Sequence, residues 1–460
     1  TRYIGVTGVQ TCALPIYLWA ELCVLHKRVE VLAENLGRFD EGHLRSDRTI
    51  RPNFERELIV VCLLTDTRFF DAITHADDRA VNSINRNDAN FLDVLAVLAG
   101  GNITTAVLDD HFHDECGVFA IYGHPESANL TYLGLHALQH RGQESAGIVT
   151  IDEGGRLHQL RARGLVTEAL PLPRVCKLPG RRAIGHVRYS TVAADRAENV
   201  QPFLASTPYG EIAVAHNGNI KNAAELAGEL RHAGSILSTT MDTELLVHLL
   251  ARSGASELAS ALQHVAGRAI GAYSLTILCA GRLYGLRDAY GLRPLVLGEL
   301  ADGGFVLASE TCALDALGAR LVREVAPGEL VEIGPAGVHS QQLLPPAPVA
   351  TPCVFELVYF ARPDSIVFGQ NAQAARTRMG EQLAQQDQEL DGRMPEVDLV
   401  VPVPDSGIPA AIGYARVSGI PYERAILRSH YFGRTFILPT HDARAQGVRL
   451  KLSVNRELVA

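Results

Sequence analysis

At 460 residues and 47% hydrophobic, the chain is long enough to bury more than one core, since single cores stop growing near about 250–300 residues. Its formal net charge of -9, with Lys and Arg dispersed, builds no sustained cationic field of the kind that attracts nucleic acid or an anionic membrane surface. The longest apolar run, Leu58 to Leu64, falls well short of the ~20 residues a membrane helix needs, so the expected partner is a small molecule.

The first methionine is Met241, and residues 1 to about 106 alternate polar runs with short apolar islands. The opening TRYIGVTGVQTCALPI reads as a joining scar to be set apart from the fold, and residues 1–115 as a non-native leader ending in a short propeptide. A genuine regulatory extension is the other reading. The eight cysteines carry no CxxC spacing, which argues against a disulfide framework and fits a reduced cytoplasm.

From Asp114 the texture changes to short β-rich runs, Gly turns and capped helices. Cys116 stands directly before a β-run, Val118 to Tyr122. Alone it reads equally as a small buried core residue. HALQHRGQESAG (136–147), AIGHVRYSTV (183–192) and IAVAHNGNI (212–220) then place polar groups at strand ends. Ile212 to Ala215 reads as a buried strand closed by an Asn217-Gly218 turn. Asn222 with Glu225 predicts a capping box on a helix from Ala223 to Arg231, stopped by Gly234. Asp242 opens a helix carrying Leu245, Leu246, Leu249 and Leu250, and could cap it. Farther on, VDLVVPV (397–403) reads as a strand buried on both faces, followed by PDSG, a helix Ile408 to Val417, a stop at Gly419 and a new extended stretch. That βαβ pattern puts Asp405 and Ser406 at the carboxyl end of a strand, where such sheets bind ligands, although the pair could equally cap the next helix.

Taken together, Cys-Gly-Val-Phe, HRGQE, GHVRYST, HNGN and MDTE resemble the N-terminal-nucleophile glutamine amidotransferases. GLRPL (291–295), ASETCALD (308–315) and VYFARPDS (358–365) narrow the resemblance to the amidophosphoribosyltransferase family over residues 114–460. The resemblance implies an αββα glutaminase sandwich over 116–345, followed by an incomplete type I phosphoribosyltransferase α/β domain over 346–460, for an α/β (α+β) fold overall. It implies that Cys116, freed as an N-terminal residue, is the nucleophile and its α-amine the base. Asn217 and Gly218 then receive the oxyanion, Arg188 grips the substrate carboxylate and Asp242 takes its ammonium, with Thr191, Arg141 and Gly142 lining the glutamine pocket.

The substrates implied are glutamine and phosphoribosyl pyrophosphate, in a homo-oligomer. The implied cofactors are magnesium at Ser406 and, in the cluster-bearing branch, a four-iron four-sulfur cluster. Cys353 matches the first of its four thiolate ligands, and the other three are expected beyond residue 460 in a full-length parent. Arg428, Arg434, Arg444, Arg449 and Lys451 make the last stretch basic, suited to pyrophosphate or simply a solvated face. The chain ends before the family's phosphate loop, so a truncated parent is expected, with this stretch acting as a glutaminase only. Two alternatives stay open. One is another amidotransferase of this glutaminase type, against which PDSGIPAAIGYA argues, and the other is a catalytically silent regulatory module.

Overall fold

The computed structural model describes residues 3–6, 116–189, 197–349, 351–391, 394, 397–429 and 450–459. Two compact units emerge, His111–Gln373 and a second that joins Thr1–Asp110 to Ala374–Ala460. The boundary differs from the expected one near 345. Residues 351–373 pack with the first unit because Glu356, on a π-helical turn Glu356–Phe360, is fully buried against Arg141.

In the second unit, β1 (Tyr3–Val6) lies parallel to a later strand.

The first unit holds two packed sheets. Its strands are β2 (Gly117–Tyr122), β3 (Ser145–Ile151), β4 (Leu157–Arg163), β5 (Arg182–Arg188), β6 (Phe203–Thr207), β7 (Gly210–Ile220), β8 (Gly271–Cys279), β9 (Arg282–Arg287), β10 (Val296–Glu299), β11 (Phe305–Ala308), β12 (Arg320–Glu324), β13 (Glu329–Gly334) and β14 (Gly337–Gln342). One sheet runs β12-β10-β11-β2-β5-β3-β4 and the other β14-β13-β9-β8-β7-β6. Its principal helices are α1 (Ser127–Ala137), α2 (Ala223–His232), α3 (Asp242–Ala251) and α4 (Leu258–Arg268).

The period-2 alternation of strand side chains explains the layering. On β2, Phe119 and Ile121 pack toward Leu135 of α1, while Val118 and Ala120 enter the core between the sheets. On β7, Ile212 and Val214 face a core with Leu245, Leu249 and Leu262 of α3 and α4, while Ala213 and Ala215 face the other sheet. The result is helix, sheet, sheet, helix, as the resemblance implied. Each fully buried Leu or Ile here contributes about 1.5–3 kcal/mol.

Local expectations held where the signal was short-range. Helix α2 starts at Ala223 and is followed by Gly234 at φ +84°. Its capping box does not form, because Asn222 instead donates to the Arg268 carbonyl and accepts from the Ile270 amide, pinning the end of α4. The Asn217-Gly218 turn does not form either. Strand β7 runs straight through both residues to Ile220, paired with β8 as Asn217↔Ser274 and Gly218↔Tyr273.

In the second unit α5 (Ala372–Asp391) precedes β15, our label for Leu399–Pro402, and α6 (Ile408–Ser418) follows it. The helix ends at Gly419 in the left-handed conformation, φ +73°. Val400, Ala411, Tyr414 and Ile420 form its core, and a parallel bridge from Val400 to Tyr422 completes the βαβ connection.

Candidate functional site

Register brings the first two expected residues together. Strands β2 and β5 are antiparallel with Gly117 opposite Val187, so Cys116, just before β2, and Arg188, the last residue of β5, lie at the same end of the paired strands. Cys116 is 1% exposed, and its carbonyl accepts from Arg141 Nε at 3.0 Å. Arg188 donates from Nη1 to the Asn199 carbonyl at 2.6 Å, and its buried Nε has no partner among the described residues. That leaves guanidinium donors for an incoming carboxylate, which a planar fork can hold at two points.

Arg141 and Gly142, expected to line the pocket, lie against Cys116 and Arg188. The Arg141 side chain is fully buried and its guanidinium is held by carboxylates, Glu310 at 2.5 Å and Glu356 at 2.8 and 2.6 Å. Gly142 allows a close approach, since a Cβ there would lie 2.6 Å from the backbone of Arg188. Both therefore position the residues on either side, Cys116 and Arg188. Thr191 lies outside the described residues.

Asn217 is fully buried, and its Nδ2 stands 3.5 Å from Ser309 Oγ. Ser309 also accepts from the Val118 amide at 2.9 Å through Oγ and donates its own amide to the Val118 carbonyl at 3.0 Å. One serine thus ties the strand of Cys116 to the strand of Asn217, across the two sheets. At Gly218 φ is +150°, and a Cβ would lie 2.0 Å from the Ala272 carbonyl oxygen, so only glycine fits.

Asp242 is the first residue of α3, and its carboxylate faces β7. One oxygen meets His216 Nδ1 at 3.2 Å and the other accepts from the Ile220 amide at 2.9 Å. Burial alone would raise its pKa, but His216 and the amides of Ile220 and Thr243 outweigh that and hold the carboxyl below its ordinary value. An ionised Asp242 suits an ammonium group. Glu244, one turn into the same helix, accepts from the amides and hydroxyls of Ser238 and Thr239 and fixes the loop ahead of Asp242.

Behind Cys116 lies a buried ionic cluster. Glu310 accepts from Arg141, from His140 at 2.7 Å, from Ser365 at 2.7 Å and from the Arg362 amide at 2.9 Å. Burial would raise the Glu310 pKa, yet His140, Arg141 and the Ser365 hydrogen bond hold it far below the usual carboxylate range. Under the sheet, His186 donates from Nε2 to the His216 carbonyl at 3.0 Å. Burial drives the His186 pKa down to about 3, helped by the nearby charges of Arg188 and His216 and opposed by that hydrogen bond.

Ser309, Glu310, Glu356 and His186 were not singled out in the sequence. Their partners lie 30 to 215 positions away, and no local pattern announces such pairs.

In the second unit Asp405 and Ser406 sit in the turn after β15, and neither side chain caps α6. Asp405 accepts from Arg428 at 2.5 Å, so part of the expected basic character is neutralised. Arg434, Arg444 and Arg449 lie outside the described residues. The half-buried Ser406 hydroxyl is an oxygen donor of the kind magnesium takes when a substrate's phosphates supply the rest of its shell.

Cys353 is half-buried at the turn leading to Glu356, but a cluster of this kind needs four thiolates. Among the described residues no group of three or more His, Cys, Asp or Glu side chains is placed to hold a metal, so the thiols described do not fit a cluster. Nor is any described helix long and apolar enough to cross a membrane.

Comparison with known proteins gives the same picture. A family described as "Glutamine amidotransferase domain" matches residues 186–316. An amidophosphoribosyltransferase of Rhizobium etli is 47% identical over 76% of this chain and 70% of its own length. Amidophosphoribosyltransferase 1, chloroplastic, of Arabidopsis thaliana is 47% identical over 75% of the chain, which spans 60% of that relative. Among solved structures, the glutamine phosphoribosylpyrophosphate amidotransferase of B. subtilis complexed with ADP and GMP aligns with a TM-score of 0.67 at 45% identity, covering 75% of this chain and 73% of that one.

Proposed function

The chain belongs to the amidophosphoribosyltransferase family, the glutamine-dependent enzymes of purine biosynthesis, and from that membership we propose the following reaction and division of labour. Glutamine is hydrolysed in the first unit, and its ammonia is transferred to phosphoribosyl pyrophosphate, giving phosphoribosylamine, pyrophosphate and glutamate. The observation that carries the glutaminase reading is that Cys116 and Arg188 lie at the same end of the paired strands β2 and β5, with Ser309 linking β2 to Asn217.

Processing frees the Cys116 α-amine, whose reference pKa of about 7.7–8.0 lies close to that of the thiol at about 8.5. The amine takes the thiol proton. The thiolate attacks the side-chain amide carbon of glutamine, and the negative charge that develops on its oxygen meets the Asn217 amide and the Gly218 N–H. Collapse breaks the C–N bond, and the ammonium of Cys116 gives its proton to the departing ammonia. Water then cleaves the thioester, releasing glutamate and the thiol. Arg188 holds the substrate carboxylate and Asp242 its ammonium, so neither takes part in bond making.

The released ammonia attacks C1 of phosphoribosyl pyrophosphate, the bond to pyrophosphate breaks, and one proton is lost. Magnesium bound with the pyrophosphate would spread the charge of that leaving group, with Ser406 as a protein oxygen near it. We also propose a homo-oligomer in a reducing cytoplasm, with no nucleic-acid partner. The test is to supply both substrates to the full-length protein and measure products: glutamate and pyrophosphate released in equal amounts support the proposal, and glutamate without pyrophosphate limits it to a glutaminase.

A further inference from the structure

Among the contacts around the site, the environment of Asn217 is out of balance. Its side chain is fully buried, and Oδ1 has no hydrogen-bond partner among the described residues. Its Nδ2 faces Ser309 Oγ at 3.5 Å, at the outer limit of a hydrogen bond. Yet Ser309 Oγ already accepts a sound bond, 2.9 Å, from the Val118 amide. A serine hydroxyl that accepts has one proton left to donate, and an amide N–H₂ cannot receive it. The two lone pairs of Ser309 Oγ can take both donors, but the Ser309 proton then has no acceptor while the buried Oδ1 has no donor among the described residues.

Turning the Asn217 amide over resolves both faults without moving its volume. Oδ1 then takes the Ser309 proton, and Nδ2 presents its two N–H groups on the side away from Ser309. We infer that Ser309 is a positioning residue that fixes the Asn217 amide with its oxygen toward Ser309 and its N–H₂ toward the oxyanion. The inference rests on the glutaminase reading above. Ser309 is itself held to β2, since its Oγ accepts from the Val118 amide and its amide donates to the Val118 carbonyl, so the hydroxyl that orients Asn217 is fixed in place.

This geometry makes Ser309 act only through Asn217, which a double-mutant comparison reads directly. In the processed enzyme, Asn217→Ala removes one oxyanion donor and should lower kcat for glutamine hydrolysis by roughly 100- to 1,000-fold. Ser309→Ala should lower kcat by at least about 10-fold with KM for glutamine within about two-fold, because Arg188 and Asp242 still bind the substrate. The double variant should be no slower than Asn217→Ala alone. Ser309→Thr keeps the hydroxyl and should recover most of kcat, whereas Ser309→Cys, close in shape but a weak donor, should resemble Ser309→Ala and serves if the alanine variant folds poorly.

Full kcat in both Ser309→Ala and Ser309→Cys, or losses that multiply in the double variant, would overturn the inference while leaving the oxyanion role of Asn217 standing. An unchanged kcat in Asn217→Ala would overturn that role itself and the inference with it.

Discussion

Glu356 holds Arg141 at two points, with carboxylate oxygens 2.8 and 2.6 Å from its terminal nitrogens, and both side chains are fully buried. Because Arg141 Nε in turn holds the Cys116 carbonyl, a residue 240 positions beyond Cys116, the proposed nucleophile, helps to fix it. Breaking a buried pair outright costs about 3–5 kcal/mol, and because Arg141 keeps Glu310 when Glu356 is removed, the loss should fall below that. Glu356→Ala should therefore lower the thermal midpoint of the first unit markedly, and Glu356→Gln, which keeps an acceptor, should lower it less. Calorimetry checks this, and an unchanged midpoint in Glu356→Ala would show that the ion pair does not support the unit.

Arg188→Lys should raise KM for glutamine by roughly 10- to 100-fold while leaving kcat within a few-fold, since lysine keeps the charge but cannot offer a planar fork to the carboxylate. Steady-state glutamate release separates the two constants. A loss confined to kcat would move Arg188 from binding to chemistry.

Gly218→Ala should abolish glutaminase activity and destabilise the first unit by at least ~1–3 kcal/mol. A methyl group at φ +150° would sit 2.0 Å from the Ala272 carbonyl oxygen, forcing β7 and β8 apart beside the oxyanion site. A variant with normal activity and melting would contradict the close approach.

The depressed pKa of His186, about 3, links stability to pH. The unfolded chain protonates this residue near pH 6.5 and the folded chain does not, so its contribution is complete above about pH 6.5 and is lost as pH falls from there toward about 3. The loss amounts to roughly 1 kcal/mol per pH unit in that window. Melting of the wild type and of His186→Asn at pH 7.5 and 5.5 tests it. The wild type should lose more on acidification than the variant, and equal losses would show that His186 is not buried in the neutral form.

How much of this was legible in the sequence depends on how far each signal reaches. The Gly234 and Gly419 stops and the helix beginning at Ile408 follow from short-range turn chemistry and are present, while the αββα layering was implied by the family resemblance alone. Asn217-Gly218 misled as a turn because a β8 partner, more than 50 residues away, satisfies the backbone on through Ile220. Asn222 was likewise drawn from its cap by the end of α4. The roles of Arg141, Glu310 and Glu356 could not be seen at all, because a buried ion cluster assembled from three distant segments has no local periodicity.

The central claim is that Cys116 is the nucleophile, and the most direct test is glutamate release by the processed protein carrying Cys116→Ala, measured beside the wild type. The variant should release none above background and should no longer form a covalent adduct, seen by intact mass, with an electrophilic glutamine analogue. A Cys116→Ala protein that keeps most of the wild-type rate would contradict the account.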